Sequence, residues 1–134
     1  MPSVNPGPAQ ATANNLTDII GNPIFIETIT VSLTPLAVAT ITTAEQSFGA
    51  AGVSQVTAAT GILAGDIILA ISAPSLVAGV GIAGFRVDAT VNDKFYITFV
   101  NPTAGSVTPV SGSYKITVAR LEQSTNALTA VVTP

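Results

Sequence analysis

Histidine, cysteine and tryptophan are absent from this chain of 134 residues, and Asp, Glu, Lys and Arg together make up only 8% of it. Without cysteine there is no disulfide framework and no thiolate metal site, and without histidine the commonest general base and metal ligand is missing. The absence of tryptophan, with only two tyrosines and five phenylalanines, leaves little to line a sugar cleft. Ordinary soluble domains carry about a quarter of their residues as charged side chains. A chain so poor in charge, yet 48% hydrophobic, covers its surface with Thr, Ser, Asn and Ala, or with other protein. That balance points to a subunit of an assembly and away from an enzyme.

The charges present exclude more. Arg86, Lys94, Lys115 and Arg120 are the only cations, and the net charge is −3, so no basic patch is expected to track a phosphate backbone. The carboxylates Asp18, Glu27, Glu45, Asp66, Asp88, Asp93 and Glu122 are scattered singly, and no spacing selects a catalytic pair. Asp88, Asn92 and Asp93 stand near one another, but they lack the dense oxygen spacing of a dedicated calcium loop and read as a solvated hairpin end. Neither a metal nor another cofactor is expected. At this length one domain with a real core is the default.

The start, Met1 to Pro8, lacks the basic and apolar regions of a secretory signal, so export by that route is not expected. Residues 1–23, rich in Pro, Ala, Asn and Gly, read as an extended N-terminal arm with apolar points at Leu16, Ile19 and Ile20. From Ile24 the side chains alternate: Ile29, Val31 and Leu33 share one face, and Thr28, Thr30 and Ser32 the other, the pattern of a half-buried strand. Thr40 to Phe48 offers a strand with little apolar commitment, expected at an edge or under a partner. Asp66 to Ile71, headed by the turn signal Ala64-Gly65, reads as a strand covered on both faces. The uncharged run between Asp66 and Arg86 is long enough to test as a membrane span. Pro74 and glycines 79, 81 and 84 interrupt it, so two short buried strands around a loop are expected instead. Tyr114, Ile116 and Val118 alternate with Lys115 and Thr117 as a further strand. Residues 101–113 are a connection full of turn signals, and residues 121–134 are a C-terminal tail or an added strand.

Residues 82–100 make a hairpin whose register can be argued. A two-residue turn at Asn92-Asp93 would place Arg86 and Asp88 on the face of Phe95, Ile97 and Phe99. A three-residue loop, Val91 to Asp93, instead pairs Ala89 with Phe95, Val87 with Ile97 and Phe85 with Phe99, and turns Arg86, Asp88, Tyr96 and Thr98 outward together. Burying the three apolar side chains is worth about 1.5–3 kcal/mol each, so the longer loop is expected, with Asn92 or Asp93 as its left-handed residue.

Two motif matches carry no function. Gly79-Val80-Gly81-Ile82-Ala83-Gly84 has the spacing of a dinucleotide loop, but Phe85-Arg86-Val87-Asp88 after it is a strand pattern where such a site needs a helix. Asn15-Leu16-Thr17 fits a glycosylation acceptor that means nothing without secretion, and in Asn101-Pro102-Thr103 the proline blocks it.

In order along the chain, Thr42-Thr43-Ala44-Glu45-Gln46-Ser47-Phe48, Pro74 to Ile82, Gly84-Phe85-Arg86-Val87, Ile97 to Gly105, Val107-Thr108-Pro109 and Tyr114 resemble a small β module of tailed-bacteriophage virion proteins, most closely the head decoration, or cement, family. The resemblance covers roughly residues 28–120 and leaves out the arm and the tail. It implies an all-β chain, a single antiparallel β-sandwich or jelly-roll-like domain over residues 24–120. It also implies a homotrimer on the outer surface of the capsid that binds the major capsid protein and touches neither nucleic acid nor membrane. Leu16, Ile19 and Ile20 are then the expected capsid-binding anchors. Similar modules occur in head fibres and tail-associated proteins, so the alternative is an adhesin module binding a host-surface glycan or protein, with Tyr96 and Tyr114 as sugar-stacking residues, although Tyr114 fits the core better.

Overall fold

The computed structural model describes residues 16–17, 23–49 and 60–121. Among these residues there are seven strands and no helix: β1 Leu16–Thr17, β2 Pro23–Leu33, β3 Thr42–Gly49, β4 Ile67–Ser72, β5 Gly81–Val87, β6 Lys94–Asn101 and β7 Gly112–Leu121. The described residues are all-β, as the alternation predicts. Of the described residues, 27–49 and 60–118 belong to one compact unit, and 16–17, 23–26 and 119–121 to another. In the latter, Leu16 and Thr17 pair antiparallel with Ile24 and Pro23.

Within the 27–118 unit two sheets, in the orders β2-β7-β4 and β3-β6-β5, pack as a β-sandwich. Each strand contributes alternate side chains to the space between them. Val31 and Leu33 come from β2, Ile68 from β4, and Tyr114, Ile116 and Val118 from β7. They meet Phe48 of β3 and Phe95, Ile97 and Phe99 of β6 in one buried cluster. The β6 strand shows the period of two without a break. Phe48 and Phe95 stack with ring centroids 5.5 Å apart. The Tyr114 hydroxyl reaches the carbonyl of Val110 at 2.6 Å, which satisfies its polar end inside the core. Burial raises its pKa above the usual phenol range.

The crossing loops are tied by a buried amide. Asn101, at the end of β6, is fully buried. Its Nδ2 donates to the carbonyls of Val38, Ala39 and Gly105 at 2.8–3.1 Å, and its Oδ1 accepts from the backbone N–H and hydroxyl of Thr103. These bonds fasten residues 34–41, which leave β2 for the other sheet, to residues 102–107, which leave β6. Val38 and Val107 exchange both backbone bonds at the same place.

Two expectations need correction. In the hairpin, Val87 pairs with Phe95, Arg86 with Tyr96, and Phe85 with Ile97, a register two residues from the expected one. The Asp88 carboxylate accepts the N–H groups of Thr90 and Val91, and the Asp88 N–H donates to the Lys94 carbonyl. The loop therefore spans residues 89–93. A slip of two keeps the side chains from Gly84 to Val87 on their expected faces, and a bulge between Ile82 and Gly84 shifts the register by one more residue, so that Ile82 stands opposite Phe99. Asp93 is the left-handed residue, with φ 62°. The second correction is β4. Ile68 is buried, but Ile67 is 54% and Leu69 49% exposed, so this strand is covered on one face only. It stands at the edge of its sheet, which leaves uncovered a face that the continuous apolar run predicts to be covered.

Candidate functional site

The two outer faces of the sandwich differ in chemistry. On the outer face of the β3-β6-β5 sheet the ladder sets Arg86 and Ser47 opposite Tyr96, and Glu45 opposite Thr98. Arg86 forms a two-pronged ion pair with Glu45, both bonds 2.9 Å, and its guanidinium lies 3.8 Å from the centre of the Tyr96 ring. The Lys94 ammonium stands 5.5 Å from the same ring. The Tyr96 hydroxyl donates to Asp88 at 2.7 Å. That hydroxyl first, and the Thr90 and Val91 N–H groups next, hold the Asp88 carboxyl well below the usual carboxylate range. The Arg86 hydrogen bond lowers Glu45 in the same way and raises Arg86. Every group in this cluster already has a partner, the arrangement of a rigid surface.

The expected neighbours Asp88, Asn92 and Asp93 are separated in their commitments. Asp93 Oδ1 accepts the Thr60 and Gly61 N–H groups and the Thr60 hydroxyl, and its own N–H donates to Ile62. Asn92 Oδ1 accepts from Ala64. The pair pins the loop before β4 to the hairpin end. No group of three His, Cys, Asp or Glu able to hold a metal occurs among the described residues. The glycine motif opens β5 instead of a helix. Gly79 itself has φ 90°, and a Cβ there would stand 2.7 Å from the Thr103 methyl, so its glycine answers a turn and a close approach.

The outer face of β2-β7-β4 carries Thr28, Thr30, Ser32, Ser113, Thr117 and one cation, Lys115, with Thr28 and Thr117 hydroxyls bonded at 2.9 Å. At its margin stand the exposed Ile67 and Leu69 of β4. The other sheet's edge strand β3 is guarded: Gln46 clamps both the N–H and the carbonyl of Leu36 at 2.8 Å, and Glu45 adds charge. β4 has no charge and no proline, the devices that usually blunt a strand edge. Beyond it the loop 73–80 carries Leu76, 88% exposed, at the rim of an apolar groove of about 190 Å³ lined by Val77, Val80, Ile82, Phe99 and Val110 among others. No charged residue lies between Asp66 and Arg86.

Of the expected capsid anchors, Leu16 stands in the short β1 ladder, and Ile19 and Ile20 lie outside the described residues, as does the tail beyond Leu121. Tyr114 is buried, and the ring of Tyr96 is covered by Arg86. Ile67, Leu69 and Leu76 escaped the sequence reading. Their signal was the length of the uncharged run, which also fits a buried strand. No known protein family, curated protein or solved structure matches this chain.

Proposed function

We propose that this chain is a structural virion protein, a decoration or cement subunit that binds the outside of a bacteriophage head and braces neighbouring major capsid subunits. Its mechanism is binding alone. The observation that carries the reading is the aliphatic edge of β4, where Ile67 and Leu69 are exposed on a strand without charge, next to an outer face with a single lysine. Such a surface is suited to being covered by protein, and the satisfied polar cluster on the opposite face keeps the other side soluble. Phage heads as the setting rest on the residue resemblance described above. A homotrimer would present three arms, raising apparent affinity about 10²–10⁴-fold over one where all three can engage. The adhesin alternative has less support, because Tyr114 is buried and the Tyr96 ring already holds a cation.

Co-sedimentation of the purified protein with heads lacking it tests the proposal. Binding is expected for the natural chain and is expected to fall at least tenfold for the double variant Ile67→Lys, Leu69→Lys, whose sites are exposed and compatible with folding. A natural chain that ignores such heads, or a double variant that binds them equally, overturns it.

A further inference from the structure

Three of the four edge strands of the sandwich carry devices that blunt an edge against a further strand. β3 bears Glu45, and its Gln46 holds the N–H and carbonyl of Leu36 beside it. β5 is bulged between Ile82 and Gly84 and bears Arg86. β2 begins at Pro23 and bears Glu27. β4, Ile67–Ser72, has neither charge nor proline, and among the described residues its one sheet neighbour is β7. Every second residue of a strand turns its N–H and carbonyl to the same side, so a row of about three such residues faces away from β7. The flank of the sandwich at β4 is open as well. Ala70 lies two positions after the buried Ile68, on the inward side of β4, yet it is exposed. Phe85 of β5 stands opposite the buried Ile97 and is still 37% exposed. β4 and β5 approach each other, so both inward-facing side chains reach water on the flank where the backbone row lies.

We infer that an extended strand of the capsid subunit adds to the outer edge of β4. The row of backbone donors and acceptors selects an extended chain as the occupant, because a helix or a flat side-chain surface leaves such a row unpaired. The side chains select its composition. They call for apolar residues on both faces of the added strand, outward against Ile67 and Leu69 and inward over Ala70 and Phe85. They also exclude charge, since no charged residue between Asp66 and Arg86 would answer one buried there. Backbone bonds then supply affinity, and the two rows of side chains set register. Docking on the outer sheet face alone would use Ile67 and Leu69, whereas strand addition also engages Ala70, on the other side of β4. The capsid subunit as the source of the strand rests on the reading above; the mode of contact rests on the unguarded edge and the open flank.

Hydrogen exchange of the full chain, resolved to single amides and measured free and on heads lacking the protein, tests the contact. In the free chain alternate amides of Ile67–Ser72 are expected to exchange freely, and on heads the same amides are expected to slow on the order of tenfold or more. Ala70→Lys guards the edge without touching Ile67 or Leu69, and is expected to weaken head binding on the order of tenfold. Ala70 is exposed, and an unchanged urea midpoint checks that the variant folds. A chain that binds heads while these amides still exchange freely overturns strand addition and leaves the capsid reading standing. An Ala70→Lys variant that binds heads unchanged does the same. Alternate amides already protected in the dilute free chain would show that the chain covers this edge itself, and would also overturn the inference. A natural chain that ignores heads overturns the capsid reading and this contact together.

Discussion

Arg86 lies across the ring of Tyr96, its directly opposed neighbour in the β5-β6 ladder, with 3.8 Å between guanidinium and ring centre. The same tyrosine donates its hydroxyl to Asp88, and the same arginine holds Glu45. One aromatic residue therefore joins, directly or through Arg86, three of the few charged side chains on this face, and their order follows from strand register. A hairpin slipped by one residue would send Arg86 inward and dissolve the cluster.

Asp88 makes this face sensitive to acid. Its folded pKa lies below the unfolded value of about 3.9, so the unfolded chain takes up more protons as the pH falls. The stabilisation is complete above pH about 4 and is lost as the pH drops from there toward the folded pKa. Asp88→Asn is expected to lower the urea midpoint at about pH 7, and the gap to the natural chain should narrow at about pH 3. A gap that stays constant across that range would show that the carboxylate's charge is not what the tyrosine and loop amides hold.

Asn101→Ala should cost about 2–3 kcal/mol, because it removes the buried amide that donates to Val38, Ala39 and Gly105 and accepts from Thr103, although Val38 keeps the Val107 N–H and Gly105 the Thr103 hydroxyl. Asn101→Asp should cost at least as much, since a carboxylate would face carbonyl oxygens where an amide now donates. Urea denaturation measures both. A loss under about 1 kcal/mol for the alanine would mean that water replaces the amide without difficulty.

How much of this was legible beforehand depends on where each residue's partners lie. Ile29, Val31 and Leu33, like Tyr114, Ile116 and Val118, announce themselves by period two, because each strand has one dry and one wet face. The side on which Arg86, Asp88 and Tyr96 stand followed from hydrophobic closure, but the pairing itself was off by two, because the loop is wound by Asp88 capping Thr90 and Val91. β4 misled for a different reason. An edge strand that is apolar on both faces has the composition of a central one, and only the sheet order tells them apart. Asn101 looked like turn punctuation before Pro102. Its partners at Val38 and Ala39 are more than 60 residues away, beyond the reach of any local pattern.

Backbone sign gives a paired prediction. Gly49 has φ 121°, and a Cβ there would overlap the Asp93 carbonyl oxygen at 1.8 Å, so Gly49→Ala should destabilise by more than about 1 kcal/mol. Ile41 has φ 47° and is 75% exposed, a β-branched side chain in a conformation that suits asparagine better. Ile41→Asn should raise the thermal midpoint, with a gain of up to about 1 kcal/mol. Opposite shifts are the expected pattern in thermal unfolding. Equal losses from both would mean that the Ile41 side chain contributes packing that outweighs its backbone strain.

The N-terminal segment divides the capsid reading into two separable parts. If Leu16, Ile19 and Ile20 anchor the chain by adding a strand to a capsid sheet, backbone hydrogen bonds supply the affinity and these side chains set the register. Deleting residues 1–22 spares β2, which starts at Pro23, and should leave the melting of the sandwich core close to that of the full chain. Binding to heads should then fall by about 10² or more where three arms act together. The β4 variants, by contrast, should lose binding with the arm intact. Unchanged binding after the deletion would remove the arm from the mechanism and place the whole contact on the sandwich, with Ile67 and Leu69 as its centre.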